Sequence, residues 1–278
     1  MPNSIRSIPK IMGIINFTPD SFFAESRINN NKLINCELYK YADIVDIGFE
    51  SSRPGANPIS EKDELHRLFN ILDIIENFEQ ILSIDTYKPN VAKTALNNGF
   101  KMINDIMGGG KNGEMLEIAS LYDCPIVLMH MKGNPLIMQD RPFYDDIMDE
   151  LLLFFENKLE LAKRIGIKDN QIILDPGIGF GKNIMDNDII INRINDLKKF
   201  GFPILIGLSR KSFLSINEDG AEDRLPATLG ATTLAVQNGA DIIRVHDVLD
   251  TYRMLSVINR ILQINNKKMS LSTYEIWS

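Results

Sequence analysis

The feature that most constrains the fold is a regular alternation of short apolar runs with longer amphipathic stretches along the chain. The apolar runs are rich in Leu and β-branched residues, which is typical of strands buried on both faces. We identify eight of them, covering residues 11–15, 44–48, 81–84, 101–104, 125–129, 171–174, 203–207 and 242–245. Strict alternation of strands and helices predicts a parallel sheet.

The amphipathic stretches predict helices over residues 60–78, 145–165, 184–200, 227–238 and 251–264. Ser60 precedes an acidic first turn and is a candidate helix cap. Four glycines stand where helices should stop: Gly99, Gly166, Gly201 and Gly239. Eight units in about 250 residues favour a closed (β/α)8 TIM barrel of the α/β class over an open, doubly wound sheet. We therefore expect a single-domain barrel over residues 10–266, with an N-terminal extension (1–9) and a C-terminal tail (267–278).

Composition excludes several classes of function. The net charge of −7 argues against a nucleic-acid or anionic-membrane surface. No apolar run approaches the roughly 20 residues that span a bilayer, and residues 1–9 lack a signal-peptide core. The chain has two cysteines, Cys36 and Cys124, which are far apart and in no metal-ligand spacing. This usage fits a reducing compartment, so we expect a cytoplasmic protein.

Polar residues follow every apolar run. The carboxyl ends of barrel strands meet at one mouth, where catalytic residues lie. Each residue also has an ordinary alternative: Asp105 and Asp247 as helix caps, or His130 and His246 as structural histidines. The functional prediction therefore rests on eight such ends together and not on any one of them.

Familiar motifs do not explain these polar ends. Residues 108–113 match a dinucleotide-binding glycine pattern, but no acidic residue follows about 20 positions later, so we interpret them as a flexible loop. The Gly181-Lys182 pair lacks the other positions of a phosphate loop, because Pro176 and Asn183 stand there. Zinc-protease, paired-cysteine and serine-nucleophile motifs are also missing from the sequence.

At these strand ends the sequence resembles the dihydropteroate synthase family. The resemblance is carried by MGIINFTPDSF (12–22), DIGFESSRPG (46–55), SIDT (83–86), NDI (104–106), LMHM (128–131), DPGIGFGK (175–182), SRKS (209–212) and RVHD (244–247). The segments occur in the family's order and span roughly residues 10–250. The resemblance implies a (β/α)8 barrel that joins 6-hydroxymethyl-7,8-dihydropterin diphosphate to 4-aminobenzoate in folate biosynthesis, with Mg²⁺ as cofactor.

The resemblance also implies roles for individual residues. The pterin ring would be bound by Asp85, Asn104, Met129, Asp175 and Lys211. The diphosphate would be held by Ser52, Arg53, Arg244 and His246, with Asn16 at the Mg²⁺ ion. 4-Aminobenzoate would contact Pro54, Phe180 and Ser212, beneath a mobile loop that carries Thr18 and Asp20. The residues expected in catalysis are Asn16, Asp85, Lys211 and Arg244. The family also implies a homodimer and sensitivity to sulfonamides.

The sequence departs from the family pattern at a few positions. Phe49 replaces a usual Gly, Ser52 a usual Thr, Asn183 a usual Thr or Ser, and residues 23–27 the usual Asp-Gly-Gly. Phe49 has two interpretations. Its ring either packs outward beneath the adjacent helices, which we favour, or enters the barrel mouth and narrows the aminobenzoate end against sulfonamides.

Two other functions share part of this pattern. A pterin-binding methyltransferase shares the barrel and the pterin carboxylates but needs no diphosphate site, so the cationic residues Arg53, Lys211 and Arg244 argue against it. A degenerate paralogue that binds pterin without turnover is suggested by the altered loops, but the retained cationic residues argue against that as well.

Overall fold

The computed structural model describes residues 8–17, 36–51, 56–133, 138 and 142–264. Its centre is an eight-stranded parallel sheet. The strands are β1 (Lys10–Asn16), β2 (Ile44–Gly48), β3 (Ile81–Asp85), β4 (Met102–Asp105), β5 (Ile126–Met129), β6 (Ile172–Asp175), β7 (Leu205–Ile206) and β8 (Ile242–Val245). The predicted number, order and parallel direction of the strands are confirmed.

The order of strands in the sheet is β6-β5-β4-β3-β2-β1-β8-β7. An isolated parallel bridge between Leu174 and Ile204 joins β6 to the run that leads into β7, so the sheet curves into a nearly closed barrel. Among the described residues no helix is long and apolar enough to cross a membrane.

The helices surround this barrel. They are α1 (Glu61–Phe69), α2 (Leu72–Ile75), α3 (Pro89–Asn97), α4 (Glu114–Leu121), α5 (Ile147–Ile165), α6 (Ile184–Asn192), α7 (Leu225–Gln237) and α8 (Val248–Ile264). Short 3-10 helices cover Cys36–Tyr39, Asp169–Gln171, Ile194–Phe200 and Ser212–Leu214. The helices α3 and α4 were not predicted from the sequence, and they are only nine and eight residues long.

Helix ends follow the predicted signals in part. The Ser60 side chain accepts a hydrogen bond from the backbone of Asp63, so it caps α1 as predicted. The single helix predicted over 60–78 is wrong, because α1 ends at Phe69 and a separate turn, α2, begins at Leu72. The helix predicted over 184–200 likewise changes to a 3-10 helix at Ile194. All four predicted stop glycines have positive φ angles, as a left-handed terminus requires.

Two hydrophobic clusters form the core. Inside the barrel, seven buried side chains from seven different strands make a small layer: Met12, Ile44, Met102, Val127, Ile173, Leu205 and Ile242. A much larger cluster joins the outer face of the strands to the helices. Because side chains alternate along a strand, residues two positions after a member of the inner layer also point into the barrel. On most strands those positions are polar, which places a polar layer above the apolar one at the carboxyl end.

Candidate active site

Strand register brings the predicted pterin residues into one layer. Neighbouring strands align Asn16 with Gly48, Gly48 with Asp85 and Asp85 with Asn104. Across the mouth, Met129 is aligned with Asp175. A β-carbon on Gly48 would lie about 3.4–3.5 Å from the side chains of Asp85 and Asn16, so glycine keeps this part of the layer open. The structure therefore brings together residues that lie far apart in the sequence.

An ion-pair network forms the floor of this layer. Arg244 contacts Asp46 Oδ2 at 2.7 Å and Asp85 Oδ2 at 2.6 Å. Asn104 Nδ2 donates to the same Asp46 oxygen at 2.8 Å. Burial raises the pKa of Asp85, while the guanidinium of Arg244 opposes that rise. Although burial acts to lower it, the two carboxylates raise the pKa of Arg244 above its usual value. Asp46 thus orients two of the predicted site residues.

Asp175 and Lys211 form the opposite side of the mouth. Asp175 is buried, and one of its oxygens accepts the backbone N–H of Gly177 at 2.7 Å. The Lys211 ammonium donates to the carbonyl oxygen of Ile178 and lies 4.7 Å from the centre of the Phe180 ring. Burial raises the pKa of Asp175 and lowers that of Lys211 to about 8, while their mutual attraction opposes both shifts. The Lys211 ammonium thus lies close to an aromatic ring and is attracted by the buried Asp175 carboxylate.

The loop over residues 176–182 is fixed along its length by side chains. Each of its five residues from 177 to 181 has a backbone group bound to a side chain: Gly177 N–H to Asp175, Ile178 carbonyl to Lys211, Gly179 N–H to Asn187, Phe180 carbonyl to Lys182, and Gly181 carbonyl to Tyr144. Gly177, Gly179 and Gly181 all have positive φ, and a β-carbon on Gly177 would collide with the carbonyl oxygen of His130. The predicted aminobenzoate residue Phe180 is therefore carried by an ordered loop.

The loop that follows β2 is anchored at its root. Arg67 donates to the carbonyl oxygen of Phe49 at 2.6 Å, and Tyr87 donates to the Glu50 carboxylate at 2.8 Å. Lys88 binds both Glu50 and Glu64, the second at 2.5 Å. These contacts fix the chain at Phe49 and Glu50, beside a small cavity that Glu50, Ser51 and Asp85 help to line.

Phe49 packs as the favoured interpretation expects. Its side chain is fully buried in the large core cluster and stacks on Phe17, with ring centroids 5.8 Å apart. By alternation it continues the outer face of β2, with Val45 and Ile47. Phe49 is not among the described non-glycine residues with positive φ, so its backbone does not need glycine's freedom. The departure from the family pattern at this position is a packing change.

The remaining predicted residues lie around the rim. Asn16 is half-buried at the end of β1, and Ser212 is exposed at the start of its 3-10 helix. His246 is exposed, and its Nδ1 lies 3.0 Å from the Ser209 hydroxyl. The other predicted residues, Thr18, Asp20, Ser52, Arg53 and Pro54, lie outside the described residues.

The polar groups of this mouth suit a planar, nitrogen-rich ring. A buried carboxylate, an amide and an ammonium, from Asp175, Asn104 and Lys211, converge from three different strand ends. Together they offer both acceptors and donors to a heterocycle edge, with Met129 as an apolar surface. Such a site recognises a ring by its hydrogen-bonding pattern.

Comparison with known proteins decides the family. The family model described as pterin binding enzyme matches residues 12–246. The chain belongs to the dihydropteroate synthase family of pterin-binding enzymes. It is 38% identical over 268 residues to the dihydropteroate synthase of Escherichia coli K12, covering 94% of this chain and 95% of that one.

Solved structures of this family share the fold. The Yersinia pestis dihydropteroate synthase in complex with a sulfonamide drug is 35% identical, with a TM-score of 0.83 over 92% of this chain and 94% of that one. The Xanthomonas albilineans dihydropteroate synthase with 4-aminobenzoic acid is 35% identical, with a TM-score of 0.82 over 91% and 93% of the two chains. Dihydropteroate synthases are transferases of folate synthesis, and both comparisons cover nearly the whole barrel.

Two residues of this dihydropteroate synthase site were missed in the sequence. Asp46 is fully buried at the centre of the ion-pair network. The signal for it was a charged residue in a strand that is otherwise continuously apolar, where a charge needs a partner. Lys182 is 2% exposed and lies beneath the loop of Phe180. It was named at the end of the family motif over residues 175–182 and in the rejected phosphate loop, but no role was assigned to it, and its burial could not be read from a glycine-rich segment.

Two other interpretations from the sequence need correction. Residues 108–113 do not form a loose loop: Asp105 accepts backbone N–H groups of Met107 and Gly109, both at 2.8 Å, and Lys158 holds the Gly110 carbonyl at 2.8 Å. Asp105 therefore caps this turn and not a helix, since the N-cap of α4 is Gly113.

Asp247, the other candidate cap, lies next to α8. Its carboxylate also binds Arg210 through both oxygens, at 2.9 and 2.6 Å.

Replacing Asp46 tests the network in this dihydropteroate synthase fold. Asp46→Asn removes the charge that Arg244 and Asn104 share, so we expect unfolding free energy to fall by about 1.5–3 kcal/mol, the range for hydrogen bonds to charged groups. Urea unfolding measures this. Asp73→Asn, at an exposed helical carboxylate, is the matched control and should change little. Equal stability of the two variants would contradict the role given to Asp46.

Proposed function

We propose that this chain transfers the pterinylmethyl group of 6-hydroxymethyl-7,8-dihydropterin diphosphate to the amino group of 4-aminobenzoate. The products are 7,8-dihydropteroate and diphosphate. The observation that carries the proposal is the convergence of Asp175, Asn104 and Lys211 at one mouth, beside the ion pair of Arg244 and Asp85.

The pterin pocket follows from this chemistry. The aminopyrimidinone edge of a pterin presents adjacent N–H donors, and the buried Asp175 carboxylate is a double acceptor for them. Asn104 has a donor and an acceptor for the mixed edge, and Lys211 donates to the ring oxygen and ring nitrogen. Met129 is the apolar floor, and Asp85 is aligned with Asn104 in the neighbouring strand.

The reaction is a substitution at the exocyclic methylene carbon. The carbon–oxygen bond breaks with its electron pair leaving on the diphosphate, and the amine nitrogen forms the new bond and then loses a proton. Arg244 supplies positive charge towards the leaving group, and the Asp85 carboxylate stabilises positive charge that develops on the dihydropterin. Arg53, Ser52 and His246 complete the diphosphate site. An aromatic amine needs no strong base, which suits this set of residues.

A divalent cation fits the donor set. Asn16 offers an amide oxygen on the layer that holds Asp85, and both side chains lie near the open position at Gly48. Among the described residues no cluster of three or more His, Cys, Asp or Glu could hold a metal ion. Mg²⁺ usually keeps several waters and takes one or two protein ligands together with substrate phosphates. When bound, Mg²⁺ would neutralise charge on the departing diphosphate.

The aminobenzoate end lies at Phe180. Its ring has the Lys211 ammonium 4.7 Å away, and Ser212 follows Lys211 directly in the chain. An aromatic substrate would lie against this ring, and the family resemblance gives Pro54 as a further contact. This end of the site is the one that sulfonamides, which mimic 4-aminobenzoate, would occupy.

The assembly and the location of the enzyme are also proposed. A homodimer is supported by exposed apolar side chains on two neighbouring helices, Leu234 on α7 and Val257 and Ile261 on α8. A cytoplasmic location is supported by the low cysteine content, with Cys36 and Cys124 far apart in the sequence.

One assay tests the proposed reaction. The protein is incubated with the pterin diphosphate, Mg²⁺ and 4-aminobenzoate, and dihydropteroate and released diphosphate are measured together. The two products should appear in equal amounts and only with all three components present. Release of diphosphate without dihydropteroate, or no reaction at all, would overturn the assignment.

The order of substrate binding gives a further prediction. The sequence assigns part of the aminobenzoate site to the loops that carry Asp20 and Arg53, which should close around diphosphate. We therefore expect 4-aminobenzoate to bind the free enzyme weakly and about tenfold or more tightly when diphosphate and Mg²⁺ are present. Calorimetry in both conditions measures this coupling. Equal affinities would show that the aminobenzoate site is complete without diphosphate.

A further inference from the structure

The side chain of Lys182 has an unusual environment for a lysine. It is 2% exposed and lies between the end of β5 and the loop over residues 176–182. Burial lowers its pKa to about 7, opposed by the carboxylate of Asp175. A lysine so deeply buried needs acceptors for its protons, and three are within reach.

The three acceptors come from two segments. Lys182 Nζ lies 3.0 Å from His130 Nδ1, 3.3 Å from the carbonyl oxygen of His130 and 3.1 Å from the carbonyl oxygen of Phe180. An ammonium has three protons, so this set satisfies it completely. Because Nδ1 of His130 then acts as an acceptor, its ring proton lies on Nε2. Burial and the nearby lysines lower the pKa of His130 to about 2, which agrees with a neutral ring.

These contacts determine where Phe180 lies. The residues on either side of it, Gly179 and Gly181, have positive φ and wide conformational freedom in the unfolded chain. The Lys182 ammonium ties the Phe180 carbonyl to the end of β5, whose other residues are fixed in the sheet. The position of the Phe180 ring beside the Lys211 ammonium therefore depends on the hydrogen bond from Lys182 to the Phe180 carbonyl.

We propose that Lys182 is a positioning residue for the 4-aminobenzoate subsite, acting through the backbone of Phe180. The inference rests on the proposed function, because that function places 4-aminobenzoate against Phe180. Lys182 does not touch the substrate. Its charge holds the Phe180 end of the loop in the arrangement that presents the ring. The pterin residues Asn104 and Asp85 lie on other strands, whereas Asp175 and Lys211 bind the same loop nearer its start, at Gly177 and Ile178.

The test separates the two substrates. Lys182→Met keeps the length of the side chain and removes all three donors. We expect the KM for 4-aminobenzoate to rise at least about tenfold, since small displacements of positioning groups have large effects. The KM for the pterin diphosphate should rise clearly less, because Lys182 binds the loop at Phe180 and not at Gly177 or Ile178, where the pterin residues bind it. Lys182→Gln keeps two donors and should give an intermediate KM for 4-aminobenzoate.

Lys198→Met is the matched control. Lys198 is a partly buried lysine that binds the carboxylate of Asp241, just before the start of β8 and so at the opposite end of the barrel. This variant should leave both KM values within about twofold of wild type. If Lys182→Met does not fold, Lys182→Gln takes its place, and its KM for 4-aminobenzoate must still rise more than its KM for the pterin diphosphate. Equal changes in both KM values, or no change in either, would overturn the role of Lys182. Failure of the wild-type protein to form dihydropteroate would instead overturn the proposed function.

Discussion

Asp175→Asn should nearly abolish the binding of the pterin diphosphate. One carboxylate oxygen already accepts the Gly177 N–H at 2.7 Å, and an asparagine that keeps this bond turns its NH2 group towards the substrate. A donor then faces the N–H donors of the pterin edge inside a buried pocket. We expect a loss of about 2–5 kcal/mol, the range for breaking one side of a buried charged pair. Calorimetric titration with the pterin measures it directly.

The stability of this variant separates a binding defect from a folding defect. Burial raises the pKa of Asp175, so its charged form costs stability in the folded state. Asparagine carries no such cost and retains the bond to Gly177, but it removes the charge that attracts the buried ammonium groups of Lys211 and Lys182. Because these two effects on stability oppose each other, the midpoint of urea unfolding should change little. Asp188→Asn, at an exposed carboxylate of α6, is the matched control for binding. Pterin affinity near that of wild type in Asp175→Asn would remove Asp175 from the pterin pocket.

The second large effect is expected from Phe49→Ala. The ring is fully buried and stacks on Phe17, so its removal leaves a cavity in the layer between barrel and helices. Losses of about 3–5 kcal/mol in unfolding free energy are usual for such truncations. Urea unfolding measures the loss, and Phe49→Leu, which keeps most of the volume, should lose less than about 1.5 kcal/mol.

Inhibition measurements on Phe49→Leu address the alternative for this residue. A packing residue should change sulfonamide inhibition and the KM for 4-aminobenzoate in parallel, because its ring does not enter the mouth. If drug inhibition tightened clearly more than the KM changed, the ring would be acting on the aminobenzoate end of the site, against the packing seen here. Phe49→Gly tests the same point in the variant nearest to the usual family sequence.

Most of the architecture could be predicted because burial on both faces gives strands a distinctive pattern. The eight apolar runs and the four stop glycines correspond to eight parallel strands and four left-handed positions. The break at Ile71 could not be seen, because hydrophobic spacing continues from α1 into α2 without a glycine or proline. Periodicity reports which face is buried, and it is insensitive to a change of axis between two short helices.

The candidate site divides in a similar way. Residues at strand ends, such as Asp85, Asn104 and Asp175, were predicted because the position itself is informative in a barrel. Asp46 lies within its strand, two residues before the strand end. Its importance comes from its ion pair with Arg244, which is almost two hundred residues away in the chain. Pairings of this kind depend on strand register, which a single sequence does not reveal. Asn183 shows the reverse case, since it caps α6 as Thr or Ser would, so this departure from the family has little structural effect.

The double ion pair of Arg244 also bears on how the enzyme behaves among the phosphate compounds of a cell. Before substrate arrives, this guanidinium is matched by two carboxylates, Asp46 and Asp85. A small phosphate ion must compete with both of them and makes none of the contacts of the pterin ring, so simple phosphates should bind more weakly at this position than the substrate does. A diphosphate attached to a pterin brings the ring's own contacts with it. The free enzyme can thus hold the Arg244 guanidinium in the site without binding the abundant phosphate ions of the cell tightly.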